Sequence, residues 1–227
     1  MPFSAWSIER PWADALHQAD RQAEAEAAFH DAEVLQRERQ PAFPLLYAFQ
    51  GFLYCDLLLS QGQVEEVQRR ATQTLAWVTQ AGLSLLTIAL NHLTLGRALL
   101  QAHLQDGSTA LVDATTHLQQ AVDGLRQAGH QEFLSRGLLA RSELHRVQGH
   151  FAQAQRDLDE ALTIATRGEM GLHQADGHLA YARLHLAMGD TIRAWESLAT
   201  ARAMVARMGY HRRDAEVQEL EEQLKRS

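Results

Sequence analysis

Lysine and cysteine are almost missing from this chain of 227 residues, and each shortage excludes a class of function. The sole cysteine, Cys55, has no second cysteine for a disulfide bond and cannot build a Cys-based zinc site. The sole lysine, Lys225, stands near the C-terminus, so no Gly-Lys-Ser/Thr loop can cradle a nucleotide. The motifs GxGxxG, GxSxG and HExxH are also absent. We therefore predict that the chain is not an enzyme and needs no cofactor.

Long apolar runs are missing as well. The most apolar tract, residues 83–104, is interrupted by Asn91, His92, Arg97 and His103. A membrane-spanning helix needs about 20 mostly apolar residues without such breaks, so this tract is predicted to be a buried helix. The first residues lack the basic and apolar segments of a signal peptide. We expect a cytoplasmic protein that does not enter a membrane, and the net charge of −7 argues against a nucleic-acid partner.

The chain does contain one pattern of small residues that recurs five times. Each copy has an anchor residue, a small residue seven positions before it, and small residues five and twelve positions after it. The last two intervals between anchors are 40 residues each, and a fixed period of this size is the signature of stacked helix pairs. The anchors are Asp20, Gly62, Thr109, Gly149 and Gly189. The small positions are Ala13, Cys55, Ala102, Ser142 and Ala182 before the anchor, then Ala25, Val67, Ala114, Ala154 and Ala194, and finally Ala32, Thr74, Ala121, Ala161 and Ala201.

This spacing predicts an all-α protein, an α-solenoid of about five antiparallel helix hairpins followed by a C-terminal capping helix. Residues 1–10 are expected to be an irregular lead-in or the stub of a preceding repeat. In the cap, residues 210–227, Val217, Leu220 and Leu224 fall on one side of an otherwise polar helix, which suits the end of an array. The predicted pairs span about 11–40, 43–82, 83–129, 130–169 and 170–209.

Two of the turns between helices carry a more specific sequence pattern. The first turn reads Gly149-His-Phe-Ala-Gln-Ala154, and 189–194 repeats its glycine and alanine. Together with the small positions, these turns resemble the tetratricopeptide repeat, in which glycine lies at the turn and alanines on the second helix. The resemblance covers about 11–209 and implies a helical-repeat fold without catalytic activity. A period near 40 instead of about 34, and Asp20 and Thr109 at the turn, depart from the family pattern.

A second resemblance concerns the segments 46–59 and 209–216, which are similar to long-repeat arrays at the C-terminus of bacterial signal-transduction ATPases. In those proteins the array is the sensor or interaction half, which implies a role in signal transduction and leaves two functions open. One is a scaffold that binds a peptide or a partner domain, either separate or part of the same assembly. The other is a sensor array that holds a small molecule in a closed, mostly apolar pocket.

In the tetratricopeptide family the first helices of successive pairs line a concave groove, and the resemblance carries this role onto twelve positions. These positions combine apolar side chains with three arginines, a mixture suited to a peptide or helix with acidic groups. The candidate groove residues are Phe49, Phe52, Asp56, Leu99, His103, Arg136, Leu139, Glu143, Arg146, Asp176, Leu179 and Arg183.

Twelve histidines raise the separate question of a metal site. His173 and Asp176 are three residues apart and could share one helix face. His145 and His185, however, occupy the same position in successive repeats, which favours a packing role. Cys55 fills the small-residue position of its repeat, so we expect a buried and unreactive thiol. The sequence therefore predicts no metal site.

Overall fold

The computed structural model describes residues 9–107 and 110–227, which form helices joined by short turns. They divide between Gly124 and Leu125 into two compact units, called here the first and the second unit. No linker or change of composition marks this division in the sequence. None of the helices within the two described ranges is both long and apolar enough to cross a membrane. The helices are α1 (Glu9–Gln18), α2 (Gln22–Arg39), α3 (Ala48–Ser60), α4 (Val64–Gln80), α5 (Leu85–Asp106), α6 (Leu111–Ala128), α7 (Gln131–Val147), α8 (Phe151–Arg167), α9 (Gly171–Ala187), α10 (Thr191–Met208) and α11 (Asp214–Arg226).

Consecutive helices pack as pairs in both units. In the first unit α1 packs on α2 and α3 on α4, and α5 lies against both α3 and α4. In the second unit α7 packs on α8 and α9 on α10, while α7 and α9 also contact each other. This arrangement confirms the predicted all-α array of helix hairpins. Because α1 begins at Glu9, residues 9 and 10 of the expected lead-in are helical; the rest of it, 1–8, lies outside the described residues.

The anchor residues lie where a first helix turns into a second. Gly149 and Gly189 adopt φ angles of 74° and 78°, a left-handed conformation that only glycine adopts without steric cost. Asp20 takes the same conformation, with φ of 59°, at the turn between α1 and α2. Aspartate is one of the few other residues that tolerate this region, because its short side chain bonds locally. The anchor Thr109 lies outside the described residues, and α5 ends in a left-handed Gly107.

The small residues that follow the last two anchors are buried between packed helices. Ala154 and Ala161 of α8 are each 1 % exposed, and Ala194 and Ala201 of α10 are fully buried. Close approach of helix backbones needs small side chains where helices cross, because protein interiors are packed without free space. The repeat pattern is therefore a packing pattern.

A further close crossing in the first unit depends on Gly96 of α5. A Cβ atom added there would lie 2.6 Å from Cγ of Leu118 on α6 and 3.1 Å from the Leu118 backbone nitrogen. We expect Gly96→Ala to lower the free energy of unfolding by about 1–3 kcal/mol through overpacking, although alanine is the better helix former. Urea denaturation measures the change. The loss should shrink in a Leu118→Ala background, and a stabilised Gly96→Ala chain would contradict this packing.

The cap follows a 3₁₀ turn and its α-helix, α11, begins at Asp214. It packs on α10 and α9. Val217, Leu220 and Leu224 are at most 5 % exposed and join the core of the second unit, which includes Leu179, Leu198 and Val205. Gln218, Glu219, Glu222 and Gln223 are exposed. The helix is therefore apolar on its inner side and polar on its outer side, as expected of a capping helix.

Candidate interaction surface

All twelve candidate groove residues lie on first helices, and each unit holds its own set. The first unit carries five of them on α3 and α5, and the second unit carries seven on α7 and α9. Phe49 is 45 % exposed, and Leu99 and His103 are half-buried. In the second unit all the candidates except Leu179 are half-buried. These residues retain surface that a partner can reach.

Three candidates are buried, which differs from the expectation. Phe52 and Asp56 of α3 are each 3 % exposed, and Leu179 of α9 is 1 % exposed. Asp56 accepts a hydrogen bond of 2.6 Å from the Arg97 guanidinium on the next first helix, α5. Leu179 packs into the core of the second unit. A protein docked on the first helices would not reach these side chains, so we remove them from the candidate surface.

The arginines of the second unit are already oriented by groups within the chain. Arg146 forms a two-pronged ion pair with Glu143 one turn earlier on α7, with N–O distances of 2.7 and 2.8 Å. Arg183 of α9 pairs with Glu216 of the cap. The side chains of Arg146 and Glu143 are 24 % and 23 % exposed, and that of Arg183 is 31 % exposed. Each arginine side chain is therefore held in place while part of it stays open to solvent.

Asp176 connects α9 to the start of the cap. Its carboxylate accepts hydrogen bonds from Arg213 Nε at 2.7 Å and from the Tyr210 hydroxyl at 3.2 Å. Burial alone would raise the pKa of Asp176, but the Arg213 guanidinium outweighs burial and the pKa is lowered. Burial would also raise the pKa of Glu143. The positive charges of Arg146 and Arg183 outweigh burial, so the pKa of Glu143 is lowered too. Both carboxylates are ionised at neutral pH.

His173 of α9 is a buried neighbour of the candidate Arg136. It is 7 % exposed, and its Nε2 accepts a hydrogen bond of 3.2 Å from Arg136 Nε. Burial and the Arg136 charge lower the pKa of His173, so the ring is neutral and carries its proton on Nδ1. His173 and Asp176 thus have separate partners. Within the described residues, no three His, Cys, Asp or Glu side chains are placed to hold a metal ion.

Sequence reasoning did not find the polar face that the cap turns toward α9. Tyr210, Arg213 and Glu216 contact the candidates Asp176 and Arg183 across 33 residues or more. Their spacing of three residues was a usable signal, since positions three apart share a helix face. The three lie at the 3₁₀ turn and the first turn of α11, and their partners depend on tertiary packing.

The first unit contains a cavity between α3, α4 and α5. It has room for about one water molecule, whereas a pocket for an organic ligand has about 300 Å³ or more. Such a cavity does not fit the closed ligand pocket that a small-molecule sensor requires. The residues that line it are Leu46, Tyr47, Ala48, Gly51, Phe52, Cys55, Arg70, Ala71, Thr74, Leu90, Asn91 and Thr94.

Comparison with known proteins supports the fold. No protein-family model matches the chain, and no curated protein matches it significantly. Among solved structures, it is similar to the crystal structure of a thermophilic TPR protein of Thermus thermophilus, with a TM-score of 0.62 and 16 % sequence identity. The match covers 95 % of this chain and 97 % of that one. The chain therefore has a tetratricopeptide-like fold. The similarity to arrays of signalling ATPases stays a hypothesis.

Proposed function

We propose that this chain is a non-catalytic interaction scaffold whose second unit binds an acidic peptide or partner domain on α7 and α9. The main support for the proposal is the ion pair of Arg146 and Glu143. The pair holds the guanidinium in one orientation, while about one quarter of each side chain stays exposed. Arginine recognises a carboxylate through two parallel hydrogen bonds. A guanidinium group that is already held in position loses less conformational entropy when it binds a partner.

The neighbouring side chains support an interaction with a protein segment. Leu139 of α7 is half-buried and packs against the small apolar cluster of Leu158 and Leu184. Helices and extended peptides that dock in grooves use apolar contacts together with polar contacts. Leu139 beside the α7 arginines offers both kinds of contact. The binding partner is either a separate protein or another domain of the same assembly, and the proposed location is the cytoplasm.

We prefer a scaffold to a small-molecule sensor because the partly exposed ion pair of Arg146 and Glu143 beside the half-buried Leu139 suits the docking of a protein segment. The proposal involves neither nucleic acid nor membrane. A link to a bacterial signalling ATPase would make the scaffold part of signal transduction, and it rests on the sequence resemblance alone.

Replacing Arg136 and Arg146 by alanine is expected to weaken partner binding at least tenfold, which corresponds to about 1.4 kcal/mol. The partner is captured from host lysate with the wild-type chain, identified by mass spectrometry, and its binding segment is titrated as a synthetic peptide by calorimetry. Arg183 is left in place because it holds the cap through Glu216.

The matched control is Arg193→Ala with Arg202→Ala on α10, where the two side chains are 67 % and 62 % exposed. This control removes the same charge from the second helix of the pair. It should bind the peptide like the wild type and melt within a few degrees of it, because exposed ion pairs contribute little. Equal loss of binding in both variants would refute a specific surface on α7 and α9.

A further inference from the structure

Two histidines meet in the first unit, where α5 packs against α6. Nδ1 of His92 lies 2.8 Å from Nδ1 of His117, and the ring centroids are 5.1 Å apart with an angle of 31° between the planes. Because the nitrogens are so much closer than the centroids, the rings meet nitrogen to nitrogen and not face to face. Both side chains are half-buried.

This geometry requires the two rings to differ in their protonation. A neutral imidazole has one N–H donor and one acceptor nitrogen. A hydrogen bond between two Nδ1 atoms therefore needs one ring with its proton on Nδ1 and the other with its proton on Nε2. The first ring donates, and its Nε2 remains able to take up a proton. The second ring accepts, and its Nδ1 lone pair is occupied by the bond.

The surroundings favour two neutral rings at neutral pH. Burial, and then the neighbouring His117, lower the pKa of His92 to about 4. Burial also lowers the pKa of His117, against the opposing pull of Asp113 one turn earlier on α6. Charged groups on the neighbouring helices have other partners. Arg97 of α5 pairs with Asp56 of α3, Arg70 of α4 pairs with Glu33 and Glu66, and Asp123 of α6 accepts a hydrogen bond from Gln119.

We propose that His92 and His117 form a proton-sharing joint that closes α5 on α6 at neutral pH and opens on acidification. The first proton added goes to the free Nε2 of the donating ring and leaves the bond in place, now strengthened by charge. The second proton must take the Nδ1 lone pair of the accepting ring. Two N–H groups and two positive charges then face each other, and the rings separate.

The joint lies beside a close contact between these helices. Gly96 follows His92 by one turn on α5, and the space above it is filled by Leu118, the residue next to His117. We therefore expect separation of the rings to loosen the packing of α5 on α6 at this contact. The pair binds a proton and not a metal ion, because head-on nitrogens at 2.8 Å leave no room for an ion between them.

The direction of the pH effect follows from the lowered pKa values. A histidine whose pKa is lower in the folded chain contributes stability that is complete above the unfolded value of 6.5. That contribution is lost as the pH falls from 6.5 toward about 4. Acid therefore acts on the joint across this window.

The first test is imidazole NMR of the ¹⁵N-labelled wild-type chain. At pH 7.5 we expect one of the two rings as the Nδ1–H tautomer, the other as the Nε2–H tautomer, and a scalar coupling between their Nδ1 atoms. The coupling should persist through the first protonation and disappear as the pH approaches 4. Identical tautomers at pH 7.5, or a coupling that is never seen, would overturn the proposal.

The second test is urea unfolding of the variant His92→Gln with His117→Gln between pH 7.5 and 4.5. Between these pH values the unfolding equilibrium constant of the wild type should rise about tenfold more than that of the variant. The control His30→Gln changes an exposed histidine of α2 and should follow the wild type. An unchanged pH dependence in the double variant would overturn the proposal, and the NMR test decides if that variant does not fold.

Discussion

Replacing Arg70 by methionine is expected to lower the free energy of unfolding by about 3–5 kcal/mol, the largest effect of any single change proposed for this chain. Arg70 of α4 and Glu33 of α2 are 8 % and 5 % exposed. Two hydrogen bonds of 2.6 and 2.7 Å join the guanidinium to the carboxylate. Methionine fills the space of the side-chain stem but leaves Glu33 as a buried charge without its partner.

The surroundings of the pair show why the loss should be large. Burial works against both charges, yet the pKa of Arg70 is raised by Glu33 and the pKa of Glu33 is lowered by Arg70. Glu33 also accepts a hydrogen bond from the backbone nitrogen of Leu46, before α3. The Arg70 guanidinium lies 4.7 Å from the centre of the Tyr54 ring. One buried ion pair thus joins α2, α3 and α4.

Urea denaturation of three variants tests this prediction. Arg69→Met is the matched control, because Arg69 also pairs with Glu66 but is 54 % exposed, and it should cost less than about 1 kcal/mol. Adding Glu33→Gln to Arg70→Met should recover much of the loss, since no buried charge remains. A loss in Arg70→Met as small as that of the control would show that the pair is not an essential buried contact.

The pH dependence gives an independent check of the same pair. Because the pKa of Glu33 is lowered from its usual value of 4.5, the pair contributes its full stability above pH 4.5 and loses it at lower pH. In Arg70→Met the buried Glu33 instead takes up a proton more readily. As the pH falls, the difference in stability between wild type and variant should therefore begin to narrow above pH 4.5, where Glu33 of the variant takes up its proton, and should narrow further below pH 4.5.

Truncating Leu179 to alanine is expected to lower the free energy of unfolding by about 2–5 kcal/mol, without a specific effect on partner binding. The sequence placed Leu179 in the groove, whereas the structure places it in the core of the second unit, 1 % exposed, with Leu198 and Val205. Removing three buried carbon atoms leaves a cavity that packed helices close only in part.

The control for Leu179→Ala is Ile192→Ala on α10, because Ile192 is 73 % exposed in the same unit. That substitution should change stability by no more than about 0.5 kcal/mol. Thermal and urea unfolding measure both variants, and calorimetry with the partner peptide separates binding from folding. Weaker peptide binding by a fully folded Leu179→Ala chain would contradict this prediction and show that Leu179 contributes to the interaction surface.

Much of this fold is predictable because its determinants are local. Gly149 and Gly189 mark turns since each must adopt a left-handed backbone conformation. Ala154 and Ala161 recur at a fixed distance from such a turn because the same crossing is repeated in each pair. The apolar side of α11 was readable for the same reason, since Val217, Leu220 and Leu224 follow the helical period.

The candidate surface was predictable only in part. The repeat register placed Arg146 correctly on a first helix, but it could not distinguish the exposed Phe49 from the buried Phe52 on the same helix. Almost every residue from Phe52 onward in α3 is buried, so the helix has no single apolar stripe from which to deduce its orientation. Exposure there depends on how α5 and α4 pack around α3.

By itself, the sequence determined the helices, their turns and the small residues at their crossings, because these depend on neighbours a few residues away. Only the tertiary structure decided which charges meet. Arg70 and Glu33, Asp176 and Arg213, and the histidines of the α5–α6 joint are separated by 25 residues or more along the chain. Such contacts depend on the rotation of each helix about its axis, and a shift of one residue turns a side chain by about 100°.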